Sequence, residues 1–204
     1  MSGEYNKSIK YIISVDPILA KVAKIIPPLD FNAKFEDPFL SLTESIVSQQ
    51  LSVKVSDVIF ARLQSLFPNR TITPEAILEI KDQSIRDVGL SWAKISYIKD
   101  LAKKTLDREI KLDSINDLRD EEIINELTKV KGIGRWTVEM FLIFNLGRMD
   151  IFSFGDLGLS RAIQRLYGLN NLPTKEEAER ISGVWKPYRS IASRYLWRSL
   201  EFDV

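Results

Sequence analysis

The chain can draw ionisable chemistry only from Asp, Glu, Lys, Tyr and Arg, because its 204 residues contain neither histidine nor cysteine. Ser-His-Asp and Cys-His nucleophilic dyads are therefore excluded. So are Cys/His zinc sites, cysteine-ligated iron–sulfur clusters and a disulfide framework. Two segments still carry residue types and spacing that could do chemistry. The first is Leu127-Thr128-Lys129-Val130-Lys131-Gly132-Ile133-Gly134-Arg135-Trp136-Thr137, a helix end, a turn with two glycines and a new helix. Glycines allow φ > 0 and close backbone approach. The new helix offers unsatisfied N–H groups at its positive dipole end, which suits an anion such as a phosphodiester. Lys131 and Arg135 flank the turn and can add charge; the same glycines also serve a tight αα-hairpin with no ligand. The second segment is Asp150 to Leu159, in which an apolar approach leads to Asp156, 22 residues after Gly134, at the start of a helix. Asp156 reads as an N-cap or as a catalytic carboxylate, and one residue can be both, because capping fixes the carboxylate's position.

The string Val130-Lys131-Gly132-Ile133-Gly134-Arg135 with helix on both sides resembles the helix-hairpin-helix motif of DNA-binding proteins. Followed by an apolar loop and Asp156, it resembles the helix-hairpin-helix DNA glycosylase superfamily. Five stretches in order resemble its alkylation-repair branch, 3-methyladenine DNA glycosylase II, in a compact form: Ser45 to Ser52, Gly89-Leu90-Ser91, Gly132 to Thr137, Phe152 to Gly158, and Trp185 to Ser190. The resemblance implies a base excision repair enzyme that flips an alkylated purine out of duplex DNA and hydrolyses its N-glycosidic bond. Asp156 would be the catalytic carboxylate. Members that also cleave the DNA backbone carry a Lys two residues after the second hairpin glycine; Trp136 stands there, so the resemblance implies no lyase activity.

That chemistry suits a chain without histidine. Glycosidases commonly need two carboxyl groups, one of them to protonate the leaving oxygen. An alkylated purine already carries positive charge and leaves as a neutral base, so one ionised carboxylate can stabilise the sugar cation and guide water. By match to the family, Trp136, Met140 and Trp197 would line the base pocket, where aromatic faces attract a cationic base by about 1–2 kcal/mol per good contact. Each of the three could equally be core. Trp92 and Tyr97 are further candidates, and Trp185 reads as core. In the family the turn at Gln49-Gln50-Leu51-Ser52 inserts a plug into the gap left by the flipped base. Gln50 matches best and Leu51 next; polar helix-end residues are the other reading. Lys131, Gly132, Gly134 and Arg135 would bind DNA phosphates. The family's hairpin often holds a monovalent cation through backbone carbonyls, here those of Thr128, Val130 and Ile133. No other cofactor is implied.

The elements that must position these residues read almost entirely as helix. Asp16-Pro17, Asp37-Pro38 and Thr73-Pro74 open helices, Thr174 to Glu177 has the capping-box pattern, and Pro187 opens the last helix towards Glu201. No alternating run is sustained, and Ile9 to Ser14 is the one stretch that could be a strand. The expected fold is all-α: a two-lobed bundle of about ten short helices in one domain, lobe one about 37–130 and lobe two about 1–36 plus 131–204. The charge is +1, from 29 basic and 28 acidic residues, so DNA binding would rest on local placement. Residues 180–204 hold five basic and two acidic residues and could face phosphates; the acidic run 117–126 is expected to face away from DNA. No run approaches the ~18 apolar residues of a membrane span, and no signal peptide is evident. The expectation is an intracellular monomer whose partner is double-stranded DNA with an alkylated base. Two rivals stay open: a glycosylase for another lesion such as hypoxanthine, uracil or an oxidised base, and a non-catalytic DNA-binding module in which Asp156 only caps.

Overall fold

The computed structural model describes residues 2–27, 29 and 37–202. Twelve α-helices and two short 3-10 turns account for the regular structure of the described residues, with no strand among them. Half of these helices begin where a side-chain oxygen meets an otherwise unsatisfied backbone N–H. Asp16 caps α2 (Pro17–Ile25) through Ile18 N and Leu19 N, and Asp37 caps α3 (Pro38–Ser48) through Phe39 N at 2.8 Å. Thr73 caps α5 (Pro74–Glu79), Ser91 caps α7 (Trp92–Leu106), and Thr174 with Glu177 closes a capping box on α11 (Lys175–Gly183). Such a cap is worth ~1 kcal/mol, so these starts are fixed by neighbouring residues; those of α2, α3, α5 and α11 are legible in sequence, while α7 starts at Trp92, ahead of the apolar spacing that begins at Ile95.

Three expectations change. Residues 9–14 belong to α1 (Ser2–Val15) and not to a strand. A short helix, α6 (Asp82–Asp87), lies between α5 and α7 where none was expected. The last helix, α12 (Arg189–Ser199), starts two residues after Pro187 and not at it. The remaining helices are α4 (Val53–Gln64), α8 (Asp120–Leu127), α9 (Arg135–Phe144) and α10 (Leu157–Tyr167). Among the described residues no helix is long and apolar enough to cross a membrane.

The chain divides into two compact units, residues 35–141 and residues 1–34 with 142–204. The boundary falls within α9. The break expected near residue 130 moves because the hairpin is tied into the first of these units: the Lys131 amide donates to Asp100 on α7, and Gln49 after α3 donates to the Gly132 carbonyl. In unit 35–141, α7 packs against α3, α5 and α6. It buries Ile95, Ile98, Leu101 and Ala102, the apolar face that its helical spacing foretells. In the other unit, α12 packs against α1, α2 and α10. The core there is built on Leu19, Val22, Ile163, Leu196 and the fully buried Trp185. Trp185 Nε1 donates to Asp16 at 2.8 Å, and the Tyr167 hydroxyl donates to the same carboxylate oxygen. A cap residue near the N-terminus thus satisfies a buried indole and a half-buried phenol from the C-terminal part of the chain.

Candidate functional site

In the unit formed by residues 1–34 and 142–204, Asp156 stands at the N-cap of α10 with 8% of its surface exposed. Its Oδ1 accepts two hydrogen bonds, from Leu159 N at 2.7 Å and from Trp197 Nε1 on α12 at 2.9 Å. Burial this deep costs a charged carboxylate several kcal/mol unless donors compensate. Two N–H groups and the positive end of α10 supply that compensation. The half-buried Trp197 ring also meets Phe144, with centroids 5.8 Å apart. Of the expected residues in this unit, the structure brings Asp156 and Trp197 into direct contact. The approach is tight enough to restrict Gly158, where a Cβ would lie 3.0 Å from Asp156 Oδ1 and 3.1 Å from Trp197 Cδ1.

The two hairpin glycines, in the unit of residues 35–141, differ. Gly132 has φ +76°, and a Cβ there would lie 2.1 Å from the Tyr97 ring. Tyr97 is thereby placed beneath the turn. Gly134 lies outside the left-handed region, and a Cβ on it would meet nothing within 4 Å. Lys131 is exposed; its ammonium lies 4.0 Å from Asp100. Arg135 is engaged by two carboxylates: Nη1 and Nη2 meet Glu121 at 3.2 and 2.6 Å, and Nε meets the buried Glu139 at 2.9 Å. The guanidinium holds the Glu121 carboxyl below the usual range by hydrogen bond and charge. The acidic run is therefore not remote from the hairpin, because one of its members grips the hairpin arginine. Of the expected cation ligands, Val130 C=O accepts from Ile133 N at 3.1 Å within the turn, and Thr128 is the C-cap of α8.

Gln50 and Leu51 are exposed at the turn between α3 and α4, with Gln50 in the left-handed region at φ 58°. The role of its neighbour Gln49 is not legible in the sequence. Gln49 Nε2 donates to Gly132 C=O at 2.9 Å, while Lys94 donates to the carbonyls of Val47 and Gln49, both at 2.7 Å. Burial pushes the Lys94 ammonium down. These bonds hold the α3–α4 turn to the hairpin and to α7. The doublet of amides was the one available signal, and it marked the loop without saying which amide was structural.

Trp136 is half exposed on the first turn of α9, with the half-buried Met140 one turn on. Trp92 is 54% exposed with Arg86 over its ring. Much of the charge of the basic C-terminal stretch is engaged locally: Arg189 pairs with Asp150 at 2.7 Å, Arg198 with Glu201, and Arg194 lies over Phe144. Asp203 and Val204 of that stretch lie outside the described residues.

Residues 43–187 match the family model described as HhH-GPD superfamily base excision DNA repair protein. DNA-3-methyladenine glycosylase 1 of Schizosaccharomyces pombe is 34% identical over 93% of this chain and 85% of its own length. Among solved structures, the S. pombe 3-methyladenine DNA glycosylase in complex with abasic DNA superposes with a TM-score of 0.85. It is 32% identical, over 96% of this chain and 97% of that one. A DNA-3-methyladenine glycosidase from Bacillus halodurans superposes with a TM-score of 0.83 at 33% identity, over 94% and 88%.

Proposed function

This chain belongs to the HhH-GPD superfamily of base excision DNA repair proteins, and we propose that it is a monofunctional glycosylase acting as a monomer on 3-methyladenine-type purines in duplex DNA. The observation that carries this reading is Asp156: a deeply buried carboxylate, held by two N–H donors at a helix N-terminus, in a chain that resembles 3-methyladenine glycosylases over nearly its full length.

The hairpin anchors the DNA backbone through the N–H groups at the start of α9, and Gly134 lets a phosphate come close because its Cβ position is open. Gln50 and Leu51, exposed at their turn, fill the gap left by the extruded base, and Trp136 and Met140 offer it an apolar, aromatic face. The cationic purine departs as a neutral base. Positive charge develops on the deoxyribose, where the Asp156 carboxylate stabilises it and accepts a proton from the attacking water. The product is an intact strand with an abasic site, since position 136 offers no amine. The backbone carbonyls of Thr128 and Val130, at the C-terminal end of α8 and in the turn after it, with that of Ile133, would hold a monovalent cation, which would add positive charge beside the phosphate.

Asp156→Asn tests the assignment. Asn is as good an N-cap as Asp, so the melting temperature should stay close to wild type. Single-turnover release of 3-methyladenine should fall by ~10²–10⁴, with wild-type duplexes showing abasic sites, no nick and no borohydride-trapped adduct. Wild-type-like excision by the variant would reject Asp156 as catalyst. Release of hypoxanthine or uracil instead, from a panel of single-lesion duplexes, would move the substrate class.

A further inference from the structure

Family resemblance places Trp197 in the wall of the base pocket; its contacts assign it different work. We propose that Trp197 and Gly158 together form a positioning device for the Asp156 carboxylate, an inference that rests on Asp156 being the catalyst. The indole N–H is the one hydrogen-bonding group a tryptophan has, and here it is spent on Asp156 Oδ1 at 2.9 Å. The same oxygen takes the Leu159 amide at 2.7 Å. Two donors from different helices, the first turn of α10 and the last turn of α12, converge on one carboxylate oxygen and pin it from two directions. A cap bond alone leaves a side chain free to swing about its remaining torsion. The Trp197 ring is itself held by Phe144 at 5.8 Å between centroids, and Arg194 lies 5.2 Å from the Phe144 ring.

Gly158 completes the device by omission. It occupies the second position of α10, where its helical backbone does not require glycine. Alanine ordinarily favours a helix over glycine, so the residue looks like a cost with no local return. The return is clearance: an added Cβ would lie 3.0 Å from Asp156 Oδ1, 3.1 Å from Trp197 Cδ1 and 3.3 Å from Trp197 Nε1. A methyl group there would press on the hydrogen bond itself, from the side.

Three variants test this. Trp197→Phe keeps an aromatic ring and removes the donor. Benzothienylalanine placed at 197 replaces only the N–H by sulfur and controls for lost packing. Gly158→Ala keeps the donor and displaces it. Each should slow single-turnover excision about ten- to hundredfold, with affinity for an abasic-site duplex within twofold of wild type. The indole 15N–1H resonance of Trp197 should exchange slowly in the wild type and shift in Gly158→Ala. Weakened substrate binding with an unchanged rate at saturation would make Trp197 a pocket wall, and an indole N–H that exchanges as freely as one in water would remove the hydrogen bond; either overturns the proposal. Asp156→Asn separates the two failures. If it is inactive while all three variants excise normally, the positioning inference alone is wrong; if it excises normally, the catalytic assignment is wrong.

Discussion

Gly132 and Gly134 stand one residue apart and answer to different constraints. Gly132 is required by the fold: its φ is +76° and the Tyr97 ring fills the space a Cβ would take. Left-handed backbone costs a non-glycine residue about 1–2 kcal/mol before any clash. Gly132→Ala should therefore lower the melting temperature, and with it every activity. Gly134 meets neither constraint, so Gly134→Ala should melt as the wild type does. It should nonetheless bind DNA more weakly, and equally so for damaged and undamaged duplexes, because phosphate contacts carry no lesion information. Thermal melts paired with fluorescence anisotropy check both variants. Full DNA affinity in Gly134→Ala would remove the phosphate from that position.

Among the elements, the start of α9 decides how much charge the hairpin presents. Arg135 lies where a phosphate contact is expected, yet Glu121 on α8 and Glu139 on α9 already hold it. The pair with the exposed Glu121 is worth at most about 1 kcal/mol, so DNA can compete with Glu121 for the outer edge of Arg135, while the buried Glu139 keeps its bond to Nε. Because the guanidinium holds the Glu121 carboxyl below its ordinary range, Glu121 stays ionised throughout the physiological pH range, and the competition relaxes only in acid as that carboxyl protonates. Glu121→Gln should tighten binding to undamaged duplex a few-fold at low salt. It should also steepen the dependence of log K on log salt by roughly 0.9, the increment for one added phosphate contact. Salt titrations of both proteins measure this. Identical slopes would make Arg135 a structural tie between α8 and α9.

At the scale of the whole molecule, the first helices belong with the last ones. Asp16 is 5% exposed and accepts from Ile18 N, Leu19 N, Trp185 Nε1 and the Tyr167 hydroxyl. Burial, with the Asp16 carboxylate beside it, pushes the Tyr167 phenol up, so that group remains a donor at all working pH values. Asp16→Ala leaves the buried Trp185 indole N–H without its acceptor, at roughly 1–3 kcal/mol, and the half-buried Tyr167 hydroxyl without its own, at less. The melting temperature should fall by several degrees. Hydrogen–deuterium exchange should rise in α10 to α12, while α3, α5 and α7, in the unit of residues 35–141, keep their protection. Equal loss of protection in both units would show that Asp16 supports more than its own unit.

Sequence pattern sufficed for the helical class, about half of the helix starts, the hairpin and the position of Asp156. These rest on interactions between residues a few positions apart: a cap oxygen and an amide three residues on, or an apolar face at helical spacing. Asp156 was legible because its cap bond to Leu159 spans three residues. Tertiary structure alone decided that Trp197 meets Asp156 across 41 residues, that Gln49 meets Gly132 across 83, and that Trp185 meets Asp16 across 169. It also decided that Arg135 is already gripped, that Gly158 guards a hydrogen bond, and that residues 9–14 wind as helix. Apolar periodicity states which face is buried and not what buries it. Backbone donors and carbonyls, the groups that build the hairpin, are the same in every residue but proline and leave no mark in a sequence.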